Sequence, residues 1–198
     1  MGALSELDRS LFFWVNQKTA NPFFDALMPV ITDLKLFLPL LIALCIALGW
    51  FGKRKGIVVV VCIVLAVALS DGISSHLIKP FVERLRPCVA LEGVRMLIGK
   101  KTSFSFPSSH AANITAAAFV LSFFYRKALA LAIIAAVLVS YSRIYVGVHY
   151  PLDVVSGFAV GLAMAALVVV AREEAAAWFE RRKAVGISNG DSKRGGES

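Results

Sequence analysis

Between Lys79 and Asp153 the chain carries three polar segments: KPFVERLRP at residues 79–87, FPSSH at 106–110 and SRIYVGVHYPLD at 142–153. They supply cations, two histidines, a hydroxyl and a carboxylate to an otherwise apolar protein. This set of groups suits a phosphate ester, because cations hold phosphate oxygens while one imidazole attacks phosphorus and another protonates the leaving group.

The composition indicates an integral membrane protein. Of the 198 residues, 58% are hydrophobic and 17% are charged, and the mean hydropathy is +0.75, whereas about a quarter of the residues in a soluble domain are charged. The apolar runs are long enough to span a bilayer. Most of the net charge of +8 comes from short loops and the C-terminal tail. Membrane topology explains that charge, so nucleic acid is not an expected partner.

The expected fold is an all-α polytopic bundle with about five transmembrane helices, in one domain over residues 1–187. The spans are predicted near residues 36–51, 57–79, 109–125, 128–148 and 152–171. The first is short for a crossing, which needs roughly 20 residues. The polar residues 188–198 are predicted to form a disordered tail.

An amphipathic helix is predicted at residues 4–17. Apolar residues recur there at helical spacing opposite charged ones, the apolar set being Leu4, Leu7, Leu11 and Trp14 and the charged set Glu6, Asp8 and Arg9. Two placements fit this pattern equally well, a helix lying at the membrane surface and a helix packed on the bundle. No basic region precedes an apolar stretch, so no cleavable signal peptide is expected.

Basic residues in short loops predict the orientation. They follow the first, third and fifth predicted spans, at residues 53–55, 126–127 and 181–183. All three groups fall on one side, and basic flanks favour the cytoplasm. The C-terminus is therefore expected inside, with the three polar segments at the periplasmic or exterior surface of the inner membrane. The loop at residues 80–108 is also basic, and catalytic cations account for part of that excess.

The first polar segment offers two cations. Lys79 and Arg86 are seven residues apart, a spacing that places two side chains on one face of a helix. Pro80 also fits the start of a new helical segment. The structural alternative is a pair of cations that reach lipid headgroups.

The second segment reads as a helix start. Ser108 or Ser109 can cap it, and its free N–H groups and dipole make an anion site. Ser108 can also donate its hydroxyl to phosphate, and His110 is placed to act as an acid. The alternative is an ordinary capped helix with an interfacial histidine.

The third segment combines Arg143, His149 and Asp153. Pro151 predicts that a helix starts there, with Asp153 in its first turn. A carboxylate in that place can accept a proton from one imidazole nitrogen and orient the other for attack. The alternative is an Arg–Asp ion pair with a histidine at headgroup level.

Two further ionisable residues lie inside the second predicted span. Intramembrane ionisable residues are candidate functional residues by default. For Asp71 we favour a role as a buried partner for a neighbouring helix, and for His76 a structural polar contact.

Taken together, the three segments resemble the signature of the type 2 phosphatidic acid phosphatase superfamily, which reads K-x6-RP, then PSGH, then SR-x5-H-x3-D. The resemblance covers residues 79–153. It implies that Lys79, Arg86 and Arg143 hold the phosphate, with Ser108 and the backbone N–H of Ser109 completing the cradle. It further implies that His149 is the nucleophile, Asp153 its orienting partner and His110 the general acid.

The sequence departs from the family in two places. Ser109 stands where the family has glycine; the backbone N–H survives that change, so the cradle is expected to hold. Many similar members pair the cysteine after the RP motif with another in the same loop. Cys88 has no such partner here, which predicts a looser loop.

The resulting prediction is a membrane phosphatase that cleaves a lipid phosphate or diphosphate at the outer surface through a phosphohistidine. Undecaprenyl diphosphate is the first choice of substrate, with phosphatidylglycerol phosphate, phosphatidic acid and lipid A as rivals. Phosphotransfer to a lipid or sugar hydroxyl remains an alternative, and non-catalytic lipid binding is disfavoured. No metal or cofactor is expected, because the cations supply positive charge and the three cysteines show no CxxC spacing. The oligomeric state is left open.

Overall fold

The computed structural model describes residues 2–99 and 101–194, and from residue 184 onward the backbone alone. No strand occurs among these residues, and the all-α prediction is confirmed. The helices are α1 (Ala3–Phe13), α2 (Pro22–Thr32), α3 (Leu34–Phe51), α4 (Lys53–Gly72), α5 (Lys79–Val82), α6 (Pro87–Ala90), α7 (Ser109–Phe124), α8 (Leu129–Tyr145) and α9 (Pro151–Arg194). π-Helical turns extend α1 over Trp14–Lys18 and join α4 to α5 over Ile73–Ile78.

Four stretches of the described chain are long and apolar enough to cross a bilayer: Leu34–Phe51, Lys53–Ala90, Arg126–Tyr145 and Pro151–Lys183. The second is helical as far as Val82 and again from Pro87. The predicted third span corresponds to α7, a shorter apolar helix of 16 residues. It packs against α4, α8 and α9. Because neighbours surround α7, it carries small buried residues such as Ala112 and Ala116, whereas the outer faces of the bundle are rich in exposed leucine, isoleucine and valine.

Two glycines bring α9 close to α7. A Cβ at Gly157 would lie 2.6 Å from the carbonyl oxygen of Ser108, and one at Gly161 would lie 2.3 Å from that of Ala112. Small residues four apart commonly allow such close helix packing in membranes. The contact sets the first turns of the two helices together, and the Ser108 N–H donates to the carbonyl oxygen of Asp153 at 2.9 Å.

The N-terminal helix α1 packs on the bundle and leaves its apolar stripe outside. Asp8 and Phe12 are buried, whereas Leu4, Leu7 and Leu11 are exposed. Part of the side that the sequence assigns to charged residues is therefore the packing face. The exposed leucines form the face with which an interfacial helix would meet lipid.

Lys79 and Arg86 do not share a helix. α5 ends at Val82, Glu83 adopts a left-handed φ of 50°, and Arg86 is extended before α6. The interpretation in which two helical turns align these cations is wrong, whereas the alternative, a new helical segment beginning at Pro80, matches α5. A proline restricts the residue before it to extended backbone, so Pro87 keeps Arg86 out of a helix.

The last helix, α9, continues to Arg194 and so passes the predicted start of a disordered tail at residue 188. A helix that is already nucleated gains one hydrogen bond for each residue added. The remainder of the predicted tail, residues 195–198, lies outside the described residues.

Candidate active site

The three polar segments meet at one end of the bundle, the site end, where α7 and α9 begin. Lys79 donates to the Ser109 hydroxyl on α7, and Arg86 contacts His149. With the bond from Ser108 to Asp153, these contacts connect all three segments. Residues that the sequence predicts to act together are thus neighbours in the fold.

The imidazole of His149 lies between two groups of opposite charge. Its Nδ1 is 3.3 Å from Oδ2 of Asp153, and its Nε2 is 2.9 Å from Nη1 of Arg86. A guanidinium can only donate, whereas a carboxylate accepts. The proton therefore belongs on Nδ1, and the Nε2 lone pair points towards Arg86.

The environment of His149 favours the neutral imidazole. The side chain is 1% exposed. Burial, followed by the charges of Arg86, Arg143 and Lys79, holds the pKa of His149 well below its usual value. The imidazole is therefore unprotonated on Nε2 at physiological pH, as a nucleophile requires.

A tight turn presents His149 between α8 and α9. The N–H groups of His149 and Val148 donate to the carbonyl oxygen of Arg143, at 3.2 and 3.3 Å. Gly147 has a φ of +87°, and a Cβ there would lie 2.7 Å from the carbonyl oxygen of Arg95. Only glycine fits this close approach without strain.

Arg86 is held by the backbone and by the loop. Its Nη1 donates to the carbonyl oxygen of Val148 at 2.9 Å, its Nε donates to the carbonyl oxygen of Ser103 at 2.7 Å, and its Nη2 donates to the Ser103 hydroxyl at 3.0 Å. The plane of the guanidinium is therefore fixed beside the Nε2 atom of His149.

Arg143 is buried with one donor unused. Its Nη1 donates to the hydroxyl of Thr32, but its Nε has no hydrogen-bond partner among the described residues. A buried N–H without an acceptor is costly. An anion bound at the site end would satisfy it.

The start of α7 contributes donors. The Ser108 hydroxyl caps the helix by accepting the Ala111 N–H at 3.4 Å. Ser109, the residue that replaces glycine, begins the helix and is not among the described non-glycine residues with positive φ, so the replacement causes no backbone strain. Its hydroxyl contacts Lys79 and lies 3.1 Å from the Ser75 hydroxyl, contacts that the sequence did not predict.

His110 follows in the first turn of α7. It is half-buried and makes no hydrogen bond to the described residues. The cations Arg143 and Lys79 act on its imidazole, so it belongs to the same cluster. An imidazole without a protein partner is free to exchange a proton with a ligand.

Two residues tied to the site were missed by the sequence interpretation. The Arg84 Nη1 donates to Oδ1 of Asp153 at 2.7 Å, and its Nη2 pairs with Asp8 of α1. In the sequence Arg84 is one of several basic residues in the loop at residues 80–108, and Asp8 is one of the charged residues of the amphipathic N-terminal helix. The position of Arg84 between Lys79 and Arg86 was the available signal.

A polar network anchors the loop that precedes α7. The buried Asn16 amide donates to the carbonyl oxygens of Arg95 and Tyr145, both at 2.8 Å. Arg95 pairs with Asp25 at 2.6 Å, and this hydrogen bond lowers the pKa of the Asp25 carboxyl. Cys88 is a free thiol, and these bonds hold the loop without a disulfide; the looser loop expected from the missing pair stays a prediction.

The two intramembrane ionisable residues differ from each other. Asp71 accepts hydrogen bonds from Asn113 of α7 at 3.2 Å and from Ser75 at 3.5 Å, which is the helix-partner role predicted for it. His76 is exposed and makes no polar contact with the described residues. The polar contact predicted for it is therefore wrong, because its position on the π-helical turn faces away from the bundle.

The site residues form neither a cluster of metal ligands nor the lining of the large cavity in the bundle. Among the described side chains, residues 2–99 and 101–183, no three His, Cys, Asp or Glu groups converge as metal ligands would; the predicted metal independence stays a prediction. A cavity of about 930 Å³ lies at the opposite end of the bundle, between the start of α4, the end of α7 and the later part of α9. None of the predicted site residues lines it.

Comparison with known proteins identifies the family. A model of the PAP2 superfamily matches residues 58–176. The chain belongs to the PAP2 superfamily. With its membrane-spanning helices, this PAP2 chain is a membrane lipid phosphatase, which confirms the predicted class.

Relatives of this PAP2 chain carry three substrate names. Lipid A 4'-phosphatase of Bacteroides thetaiotaomicron is 32% identical over 166 residues, 80% of this chain and 73% of that protein. Undecaprenyl-diphosphatase of Sulfolobus acidocaldarius is 39% identical over 110 residues, 55% of this chain and 51% of that protein. The crystal structure of a transmembrane PAP2-type phosphatidylglycerolphosphate phosphatase from Bacillus subtilis is 25% identical, with a TM-score of 0.69 over 88% of each chain.

Proposed function

We propose that this PAP2 phosphatase hydrolyses undecaprenyl diphosphate through a phosphohistidine on His149. The observation that carries the proposal is the imidazole of His149, with Nδ1 on Asp153 and Nε2 on Arg86. The nitrogen that would attack phosphorus lies beside a cation suited to phosphate oxygens. The substrate therefore has to draw Arg86 from Nε2 onto its own oxygens before attack.

In the first step, the Nε2 lone pair of His149 forms a bond to the terminal phosphorus as the bond from that phosphorus to the leaving oxygen breaks. His110 donates a proton to the leaving oxygen. Asp153 stabilises the positive charge that develops on the imidazole. Undecaprenyl phosphate leaves, and the enzyme carries one phosphoryl group.

In the second step, water attacks the phosphohistidine. His110, now neutral, accepts a proton from that water. The bond between phosphorus and Nε2 breaks, inorganic phosphate leaves, and His149 returns to its starting form. One water is consumed, and no metal or redox partner enters the balance.

Fixed cations supply the electrostatic stabilisation in this scheme. In this proposal Lys79, Arg86 and Arg143 would bind the oxygens of the transferred phosphoryl group, and the N–H groups at the start of α7 would add a positive dipole. Charge on the equatorial oxygens is therefore balanced by the protein, as Mg²⁺ balances it in other phosphoryl-transfer enzymes.

Support for a polyprenyl diphosphate comes from the relative named undecaprenyl-diphosphatase, which is 39% identical over 110 residues. The rival substrates are those in the names of other relatives, lipid A and phosphatidylglycerophosphate, and phosphatidic acid. All of them present a phosphoryl group on a lipid, so the same histidine chemistry applies to each.

A panel of purified lipids tests the proposal. Released phosphate is measured for undecaprenyl diphosphate, phosphatidylglycerol phosphate, phosphatidic acid and lipid A, with wild type and His149→Ala. We expect the highest kcat/KM with undecaprenyl diphosphate and no turnover by the variant. If another lipid gave the highest kcat/KM, that lipid would be the substrate in place of undecaprenyl diphosphate. Near-normal turnover by His149→Ala would overturn the histidine mechanism. Label recovered on an acceptor hydroxyl instead of in free phosphate would identify a phosphotransferase.

We also infer that the site end faces the outside of the inner membrane, because short basic loops lie at the opposite end. Cys88 follows Arg86 and Pro87 at the site end, whereas Cys45 and Cys62 lie within α3 and α4. A membrane-impermeant thiol reagent should label intact cells that carry the wild type and spare Cys88→Ser. Labelling of Cys88 only after lysis would reverse the orientation.

A further inference from the structure

The buried carboxylate of Asp8 is the feature of α1 that reaches the site end. Its side chain has no exposed surface. One oxygen accepts the backbone N–H of Leu152 at 2.9 Å, and the other pairs with Nη2 of Arg84. The N-terminal helix is thereby joined both to the first turn of α9 and to the first polar segment.

Arg84 connects that carboxylate to Asp153. Its Nη1 donates to Oδ1 of Asp153 at 2.7 Å. Its guanidinium lies over the ring of Tyr150, 3.9 Å from the ring centroid, so stacking fixes the plane of the fork. Arg84 therefore holds two carboxylates in one fixed arrangement.

The two oxygens of Asp153 have separate tasks in this arrangement. Oδ1 is taken by Arg84, while Oδ2 accepts the Tyr150 N–H at 2.9 Å and faces Nδ1 of His149 at 3.3 Å. With Oδ1 fixed, the carboxylate cannot rotate away from the imidazole.

Charge gives Asp8 a further effect. A pair of Arg84 and Asp153 alone would be neutral and would stabilise an imidazolium poorly. The second carboxylate, Asp8, shares the charge of Arg84, so the set of three carries a net negative charge next to His149. That negative charge stabilises the positive charge that develops on the imidazole during attack.

We propose that Asp8 and Arg84 are positioning residues that act through Asp153 to orient and support the His149 nucleophile. This inference rests on the proposed function, since it assigns the residues to the same phosphohistidine chemistry. It makes α1 part of the active site, although α1 lies more than a hundred residues before His149 in the chain.

The test begins with Asp8→Asn, which keeps the shape of the side chain and removes its charge. We expect kcat to fall roughly tenfold to hundredfold, the range typical of outer partners that orient a catalytic group, with KM changed less than threefold. The matched control is Glu6→Gln, the same charge change at an exposed position of α1, which should leave kcat unchanged. Equal effects of the two variants would overturn the proposal.

A double-variant comparison separates positioning from general stability. If Asp8 acts through Asp153, adding Asp8→Asn to the Asp153→Asn variant should lower kcat by less than a further twofold. The interaction between Asp8 and Asp153 is already lost in the single Asp153→Asn variant. A full additional loss in the double variant would assign Asp8 a structural role only. Rapid-quench measurement of the labelled phosphohistidine should show slower formation in Asp8→Asn, and an unchanged rate of formation would also count against the proposal.

Arg84→Lys provides a second route if Asp8→Asn does not fold. Lysine keeps the positive charge but cannot hold both carboxylates with a planar fork. We expect a similar fall in kcat, and wild-type kcat in this variant would contradict the proposed role. Failure of the proposed function is distinct, since it would appear as an active His149→Ala, whereas failure of this inference leaves His149→Ala inactive and Asp8→Asn normal.

Discussion

The two ends of the bundle are both basic, but they hold their cations differently. At the site end Arg86 and Arg143 are 5% and 3% exposed, and each donates hydrogen bonds to other parts of the chain. At the opposite end Arg54 and Lys55 are exposed, and the Lys55 ammonium lies over the Tyr125 ring at 4.7 Å from its centroid.

This difference separates two reasons for carrying positive charge. A buried cation loses its hydration and is retained only where partners or a ligand compensate that loss. An exposed cation at the end of a span keeps its water and needs no partner, which suits topology. Counting charges along the chain treats the two sets alike, whereas burial distinguishes them.

The largest effect should come from the proposed nucleophile at the site end. His149→Ala removes the only group proposed to bond phosphorus, so turnover should fall by roughly four orders of magnitude or more, while lipid binding is largely kept. Acid-labile, base-stable label should be trapped on wild type and be absent from the variant. Near-normal activity in a clean preparation would assign the nucleophile elsewhere.

A smaller but still large effect should follow from changing one buried cation. Arg143→Lys keeps the charge but loses the Nε donor and the fork, so kcat should fall roughly a hundredfold, as for loss of one preorganised donor. Arg126→Gln removes a whole charge from an exposed position at the opposite end and should leave kcat within twofold. Similar losses in both variants would remove the distinction between the two ends.

Local chemistry made much of the site predictable from the sequence. Pro151 starts α9, and the spacing of four residues places Asp153 beside His149. Ser108 caps α7, as its type and position indicate. These features depend on residues that are close together in the chain, and a sequence motif records such short spacings directly. The family predicted from the three motifs is likewise confirmed, because each motif is a short local pattern.

Contacts between distant segments were not predictable in this way. Arg84 and Asp8 are 76 positions apart, and Asn16 lies 79 positions from Arg95. No periodicity links such residues, and each alone resembles an ordinary surface charge or amide. The alignment of Lys79 with Arg86 failed for a different reason, because backbone restriction by Pro87 prevailed over helical spacing.

An intermediate effect should come from the close contact between α7 and α9, which holds the site end together. Gly161→Ala would place a Cβ against the backbone of Ala112, and overpacking of this kind costs about 1–3 kcal/mol. We expect a lower midpoint of thermal unfolding in detergent and a few-fold loss of kcat, because α9 carries Asp153.

The matched control for that prediction is Gly72→Ala. A Cβ at Gly72 would meet no atom within 4 Å, and alanine favours a helix over glycine by about 1 kcal/mol. This variant should be as stable as wild type or slightly more so. If both substitutions lowered the midpoint equally, close packing of α9 on α7 would not be the reason.

The smallest effect should come from removal of divalent metal, because the buried cations of the site end take its place in the proposed mechanism. Lys79, Arg86 and Arg143 supply fixed positive charge, and the described residues offer no set of ligands for a metal ion. Activity should therefore stay within twofold of its starting value in excess EDTA. Added Mg²⁺ should also fail to restore Arg143→Lys, since Mg²⁺ sites are built on carboxylate and phosphate oxygens and no cluster of three such acidic side chains converges among the described residues. A strict requirement for added divalent metal would mean that buried arginine and lysine do not suffice to balance the phosphoryl charge, and the contrast between the two ends of the bundle would lose its catalytic meaning.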